Sequence, residues 1–163
     1  MPTPARVVAT LAVSLATLAA ASPSPARAGD PAATLPRDFR SWTHVRSMVV
    51  SDPEEGMQGF HDVYANRAAI RTLRSGKQPV VYPDGAQFVV SIFEVKQEKG
   101  LVTAGAKQRD VTQIKDRRAT ATGGWRFGSF DPSGKPIATD LATCHGCHAQ
   151  ASDRDLVFTR LSE

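Results

Sequence analysis

The sequence predicts an α+β fold: an antiparallel β-sheet of about five strands with helices packed on it. The run Phe88–Val95 is almost continuously apolar, which is typical of a strand buried on both faces at the centre of a sheet. Tyr82-Pro83-Asp84-Gly85 and Asp131-Pro132-Ser133-Gly134 have turn composition. A chain that is 41% hydrophobic and 22% charged has the composition of a folded domain rather than a disordered segment.

The first half of the chain contains two strand patterns and one helix pattern. Strands are expected at Thr43–Val50 and Phe60–Ala65, where β-branched and aromatic residues are enriched. A helix is expected over Arg67–Ser75, because Asn66 can cap its first turn and Gly76 stands where a helix usually stops.

The second half continues the sheet and then becomes helical. Further strands are predicted at Leu101–Ala106, Asp110–Lys115 and Trp125–Phe130. Composition favours helices over Leu141–Ala151 and Asp155–Leu161, the second of them capped by Asp153.

The amino-terminal segment has the pattern of an export signal. Arg6 precedes an uncharged apolar run, Val7–Ala21, and Ala26-Arg27-Ala28 places small residues at positions −3 and −1 of a cleavage site. We therefore expect residues 1–28 to be a cleaved signal peptide, 29–35 a flexible lead-in and 36–163 a single domain. The expected location is the periplasm.

Charge and hydropathy exclude two broad classes of function. Lys and Arg exceed Asp and Glu by only four, and residues 1–28 hold two arginines and no acid, so the mature chain is nearly neutral. Such a small and scattered excess argues against nucleic-acid binding. No run reaches the roughly 20 apolar residues that span a bilayer, which argues against a multispan membrane protein.

The strongest chemical signal is Cys144-His145-Gly146-Cys147-His148, which matches the C-x-x-C-H motif of c-type haem attachment. On a helix, Cys144, Cys147 and His148 share one face, because they stand at positions i, i+3 and i+4. Both sulfurs can then reach one porphyrin edge, while His148 ligates the iron. His145 lies on another face and is a poor candidate for the same iron. The expected cofactor is one covalent haem c.

Three other readings of the two cysteines fit less well. A thioredoxin-like pair usually follows an early strand of a βαβ unit, whereas this pair stands late in the chain. A structural zinc site needs four ligands, and no second Cys/His cluster exists in the sequence. A disulfide between Cys144 and Cys147 would close a very small loop of little structural value.

The second axial position of the iron has no obvious protein ligand. Residues 149–163 contain neither Met nor His, so a distal ligand could come only from upstream. The upstream candidates are His44, Met48, Met57 and His61. Each has an ordinary structural alternative, and we expect an open sixth position, which favours the binding of small molecules over pure electron carriage.

Several segments, taken in order, resemble the cytochrome P-460 and cytochrome c′-β family of periplasmic mono-haem proteins. They are Phe39-Arg40-Ser41-Trp42, Gly59–Asn66, Pro83-Asp84-Gly85, Gly123-Gly124-Trp125, the haem motif and Asp155-Leu156-Val157-Phe158. The resemblance covers nearly all of the mature chain. It implies a β-sheet with the haem against one face, and it implies a homodimer.

Two positions separate this chain from the hydroxylamine-oxidising members of that family. Those enzymes have a lysine that cross-links to the porphyrin, and the matching position here is Val90. Lys96 lies six residues further on, about 20 Å away along a strand, too far to substitute. Some members also have a glutamate six residues past the haem-ligating histidine, where this chain has Arg154.

These differences shape the expected distal pocket. A Val90 wall is small and apolar, which admits neutral diatomic ligands and offers no hydrogen bond to bound oxygen. Arg154 is a candidate donor to a distal ligand or a haem propionate, with a solvent-facing ion pair as its alternative. Phe60 and Phe88 are candidate aromatic caps of the distal face. The alternative role of both residues is packing in the core.

Three hypotheses of function follow. The first is a c′-β-like cytochrome that binds nitric oxide or carbon monoxide at ferrous haem. The second is a P-460-type haem oxidoreductase acting on hydroxylamine or another small nitrogen compound. The third is an electron-transfer cytochrome with an upstream His or Met ligand. The expected partners are a small diatomic ligand and a periplasmic electron-transfer protein.

Overall fold

The computed structural model describes residues 33–52 and 56–161, and in this part of the chain six strands form one antiparallel sheet in sequential order. The strands are β1 (Thr43–Val50), β2 (Gly59–Ala65), β3 (Gln87–Glu98), β4 (Leu101–Lys115), β5 (Trp125–Phe130) and β6 (Pro136–Ile137). The α+β class is confirmed, and β3 is a central strand as predicted. The sixth strand was not predicted because β6 has only two residues, which pair with Ser129 and Phe130.

Two helices accompany the sheet, α1 (Arg67–Ser75) and α2 (Leu141–His148). The local signals for α1 are confirmed: the Asn66 side chain accepts a hydrogen bond from the Ala69 N–H at 3.0 Å, and Gly76 takes a left-handed conformation with φ 60°. Short 3₁₀ turns cover Phe39–Ser41, Thr120–Thr122 and Ala149–Arg154. None of the helices in the part of the chain that the structure describes is long and apolar enough to span a membrane.

The two strands predicted at Leu101–Ala106 and Asp110–Lys115 are one strand, β4. The register changes there: Ile92 pairs with Arg109, whereas its neighbour Phe93 pairs with Lys107. An extra residue therefore stands opposite β3 at this point, as in a β-bulge. The bulge coincides with the break in the hydrophobic pattern, but the pairing continues through it.

The predicted helix over Asp155–Leu161 is wrong. The 3₁₀ turn after α2 ends at Arg154, Asp155 and Leu156 then have positive φ angles of 53° and 63°, and Asp153 caps nothing. The cause is a tertiary contact, because the Asp155 carboxylate accepts hydrogen bonds from the Tyr82 N–H and from Lys115 Nζ. These long-range bonds outweigh the helical composition of the segment.

The pairing register assigns side chains to the two faces of the sheet. Residues opposite each other in neighbouring strands share a face, and adjacent residues in a strand alternate. One face carries Phe127, which packs on His148 of α2 with 5.0 Å between ring centroids, and is called the α2 face. Its middle row runs across five strands: Arg46, Val63, Val90, Val111 and Ser129.

The core lies between the α2 face and the segments that cover it. Its aromatic centre is Tyr82, Phe88 and the fully buried Trp125, with Tyr82 at 5.5 Å from Phe88 and 5.6 Å from Trp125 between ring centroids. Ala69 and Ile70 bring α1 into the same cluster, and Val157 brings in the segment after α2. Burial of these side chains is the main source of the domain's stability.

The predicted signal peptide, residues 1–28, lies outside the described residues, as does most of the predicted lead-in. Of the lead-in, Ala33 is buried and the Thr34 carbonyl accepts a hydrogen bond from Gln87 Nε2 at 3.4 Å.

Replacing Asn66 by alanine should lower the free energy of unfolding by about 0.5–2 kcal/mol, the range measured for loss of a helix cap. Asn66 Oδ1 accepts from the N–H groups of Ala69 and Gln87, and Asn66 Nδ2 donates to the Gly85 carbonyl. Denaturant unfolding of the two proteins measures the difference. Asn66→Asp keeps the acceptor and loses only the donated bond, so it should retain most of the stability; equal losses in both variants would contradict the capping role.

Candidate functional site

Helix α2 holds the three residues of the sequence motif. Its first turn is fixed by Asp140, whose Oδ1 accepts from the N–H groups of Ala142 at 3.0 Å and Thr143 at 3.2 Å. From this start, the helical repeat places Cys144, Cys147 and His148 on one face. The helix predicted through Ala151 ends at His148, and the remaining residues form the 3₁₀ turn.

His148 is oriented by a single strong hydrogen bond. Its Nδ1 lies 2.7 Å from the Leu156 carbonyl oxygen, and because a carbonyl only accepts, Nδ1 carries the proton. The ring packs between Phe127 and Phe158, with centroid distances of 5.0 and 5.2 Å. Burial lowers the pKa of His148, which favours the neutral imidazole. Nε2 therefore presents a lone pair, as in metal-ligating histidines.

The two cysteines of the motif have partly buried side chains. Cys144 and Cys147 are not joined in a disulfide, and Cys144 packs against the hydrophobic core. Burial, followed by the negative charge of Asp140, raises the pKa of Cys144 and keeps its thiol protonated. Both side chains are partly buried on the helix face that also carries His148.

His145 occupies a different environment. A Cβ placed on Gly123 would come within 3.3 Å of His145 Nε2, so this ring lies against the turn that precedes β5. Gly123 has φ 66° and leaves no room for a side chain, because the same Cβ would lie 2.6 Å from Leu156 Cδ1. His145 thus packs against this turn, and, after burial, its charge is one of the causes that lower the pKa of His148.

The α2 face has an apolar centre with polar ends. Val63 is fully buried, and it pairs with Val90, which in turn pairs with Val111. Arg46 continues this row on β1 and Ser129 on β5. The next row contains Met48, His61, Ile92 and Arg109.

Two arginines of this face have buried nitrogen atoms without a hydrogen bond among the described residues. These atoms are Arg46 Nε and Arg109 Nε. Arg109 is partly satisfied elsewhere, since its Nη2 donates to the Gly56 carbonyl at 3.0 Å, and its charge also acts on Cys144. An unsatisfied buried donor is costly, so this arrangement is typical of a site for an acidic group. It fits the propionates of a haem held by α2.

The upstream histidines lie on opposite faces of the sheet. His44 pairs with Tyr64 on the face away from α2, where Ser47 and Asp62 surround it. His61 is on the α2 face and is 4% exposed, and its Nε2 donates to the Met57 carbonyl at 2.6 Å. Burial lowers the pKa of His61.

The two upstream methionines both lie beside the row that holds His61. Met48 pairs with His61 on the α2 face, and its partly buried side chain packs against the core. The Met57 sulfur lies 3.4 Å from Arg109 Nη2.

The remaining candidates of the distal pocket are dispersed. Val90 and Phe88 share the α2 face, but Phe88 packs in the aromatic core. Phe60 pairs with Phe93 on the other face, away from Val90. Arg154 Nε donates to the Val157 carbonyl at 3.3 Å, and its Nη1 lies 3.7 Å from the exposed Asp153 carboxylate. Arg154 thus closes its own turn.

Sequence reasoning missed Arg46, Arg109 and Gln113. Strand alternation puts each of them on one of two faces, but only the register shows that they share the face that His148 packs on. Gln113 Nε2 donates to the Leu156 carbonyl at 2.9 Å, 43 positions away in the chain, and no local signal predicts such a contact.

Comparison with known proteins identifies the family of this chain. The model of the protein family described as Cytochrome P460 matches residues 36–159, which is most of the chain and confirms the resemblance drawn from its motifs. A search of curated proteins found no match.

Tyr82 connects the segment after α2 to the core, and its ionisation should weaken the fold. Burial, followed by the negative charge of Asp155, raises the pKa of Tyr82 to about 12, from its usual value of 10.0. Between these two values the unfolded chain loses the phenol proton first, so the free energy of unfolding should fall as pH rises above 10.

The Tyr82→Phe variant has no phenol proton to lose at this position. Its free energy of unfolding should therefore fall less steeply above pH 10 than that of the wild type, as measured by denaturant unfolding at each pH. Tyr64→Phe, the control at the other tyrosine of the chain, should keep the wild-type decline. Identical profiles for Tyr82→Phe and wild type would contradict the assignment.

Proposed function

Because this chain belongs to the cytochrome P460 family and is therefore a haem protein of the P460 and c′-β type, we propose that it is an exported mono-haem c-type cytochrome with an open distal site. Its proposed ligand is nitric oxide or carbon monoxide, bound at ferrous haem. In this role the protein traps, carries or senses the ligand.

The residues of α2 would hold the haem. Cys144 and Cys147 would supply two thioether links, and His148 would bind the iron through Nε2, which its hydrogen bond to Leu156 leaves available. Arg46 and Arg109 bring two positive charges to the α2 face, suited to the propionates. Bound haem supplies an iron that takes up diatomic ligands and exchanges one electron.

The observation that carries the proposal is the row Val63, Val90 and Val111 on the face that His148 packs on. These side chains cannot ligate iron or donate a hydrogen bond. His61, in the neighbouring row, already uses Nε2 to bind the Met57 carbonyl. An apolar surface of this kind beside the iron would favour neutral diatomic ligands over water and anions.

The chemistry of hydroxylamine oxidation is less well supported. At the position of the cross-linking lysine this chain has Val90, and at the position of the glutamate it has Arg154. Arg154 hydrogen-bonds its own turn and carries no carboxylate, so neither position offers a general base. The proposal therefore assigns ligand binding rather than turnover.

Location and partners belong to the same proposal. The pattern of residues 1–28 supports export to the periplasm, where haem c attachment takes place. The ends of β3 and β4 form an exposed hairpin with Val95, Leu101 and Val102 at its surface, which suits pairing with a second copy of this chain. A periplasmic electron-transfer protein would keep the haem iron ferrous.

The purified ferrous protein should be five-coordinate and high-spin and should bind carbon monoxide, because no side chain of the valine row competes for the iron. Absorption spectra of the ferrous protein, recorded with and without carbon monoxide, test both expectations. A low-spin ferrous spectrum that ignores carbon monoxide would overturn the proposal, and a red-shifted Soret band with hydroxylamine turnover would favour the enzyme.

A low-spin result would favour the second candidate, an electron-transfer cytochrome, since His61 is a buried histidine on the α2 face. His61→Leu would then convert the spectrum to five-coordinate, whereas His44→Leu, on the other face, would leave it unchanged.

Covalent attachment should survive unfolding. After maturation in a host that attaches haem c, the denatured chain should stain for haem on a gel, because two thioether bonds do not depend on the fold. The Cys144→Ser, Cys147→Ser double variant should lose the stain. A colourless wild-type band, or a coloured band from the double variant, would refute attachment through these cysteines.

A further inference from the structure

The Leu156 carbonyl accepts two side-chain hydrogen bonds. One comes from His148 Nδ1 at 2.7 Å and the other from Gln113 Nε2 at 2.9 Å. Gln113 is buried on the α2 face of β4, where its register partners are Phe88 and Phe127. A side chain of the central sheet is thus coupled to the ring of His148 through one oxygen atom.

This carbonyl is held firmly in place. Asp155 and Leu156 both have positive φ, a conformation that is unfavourable for non-glycine residues and persists only when the surroundings enforce it. The enforcing contacts are the bonds of the Asp155 carboxylate to Lys115 Nζ at 2.6 Å and to the Tyr82 N–H at 2.9 Å. The Leu156 N–H donates to the Ala151 carbonyl at 3.0 Å.

Lys115 is itself fixed. Its side chain is nearly buried, and its Nζ lies 4.9 Å from the centroid of the Trp125 ring, within the range of a cation–π contact. Strand β4 therefore supports the Leu156 peptide twice, through Lys115 by way of Asp155 and through Gln113 directly.

We propose that Gln113 is a positioning residue that limits the electron donation of His148 to haem iron. The inference rests on the proposed function, in which His148 is the axial ligand. A hydrogen bond from Nδ1 raises the basicity of a metal-ligating imidazole. Because Gln113 draws on the same oxygen, the His148 bond is weaker than it would be to an unshared carbonyl, and Nε2 donates less charge.

The experiment compares the haem-loaded wild type with Gln113→Leu, which keeps the size of the side chain and removes the donor. Resonance Raman spectra of the ferrous proteins should show the iron–histidine stretch at a higher frequency in the variant. Its reduction potential should be lower, because a more basic imidazole favours the ferric state.

Gln87→Leu is the matched control. Gln87 is a similarly buried glutamine, on the opposite face of the sheet, and its Nε2 also donates to a backbone carbonyl, that of Thr34. This variant should leave both readouts at the wild-type values. Gln113→Met, an unbranched replacement, serves if Gln113→Leu does not fold.

An unchanged or lowered iron–histidine frequency in both Gln113 variants would overturn the inference, as would an equal shift in Gln87→Leu. Failure of the proposed function looks different. In that case the iron–histidine band is missing from the spectrum of the wild type, or the band persists in the His148→Ala variant. Neither result depends on which residue stands at position 113.

Discussion

The site depends on the hydrogen bond between His148 Nδ1 and the Leu156 carbonyl. The bond joins residues eight positions apart in the chain. His148 is the last residue of α2, and Leu156 is the second of the two residues with positive φ that follow the 3₁₀ turn. The bond fixes the tautomer of His148 and, together with Phe127 and Phe158, the plane of its ring. The cysteines alone would only tether a haem to α2. The hydrogen bond to the Leu156 carbonyl also fixes the orientation of the His148 ring.

The ion pair of Lys115 and Asp155 shows the physical cost of holding that carbonyl. Both side chains are largely withdrawn from water, and such a pair rarely adds net stability, because desolvation offsets the attraction. Its value here is geometric. Removing either charge would leave the other buried and would free two residues whose φ angles the chain otherwise avoids.

Local signals predicted much of the fold and the chemical centre of the site. Strand alternation located β1, β2 and β5, the cap and stop residues bounded α1, and C-x-x-C-H is readable in five consecutive residues. The failures are long-range. The helix expected over Asp155–Leu161 yields to contacts with Tyr82 and Lys115, which are 73 and 40 positions away. Phe60 and Val90 were expected in one pocket, and only the register between β2 and β3 puts them on different faces.

Buried charged groups of the sheet differ in whether side chains of the fold satisfy them. Away from α2, the fully buried Asp110 receives hydrogen bonds from Ser91 Oγ at 2.7 Å and Lys107 Nζ at 2.6 Å, so the fold satisfies this carboxylate itself. On the α2 face, the buried Nε atoms of Arg46 and Arg109 have no such partner in the described part of the chain. A fold that can satisfy a buried carboxylate from its own side chains could also have supplied one for these arginines. The Nε atoms of Arg46 and Arg109 are therefore available to hydrogen-bond an acidic group.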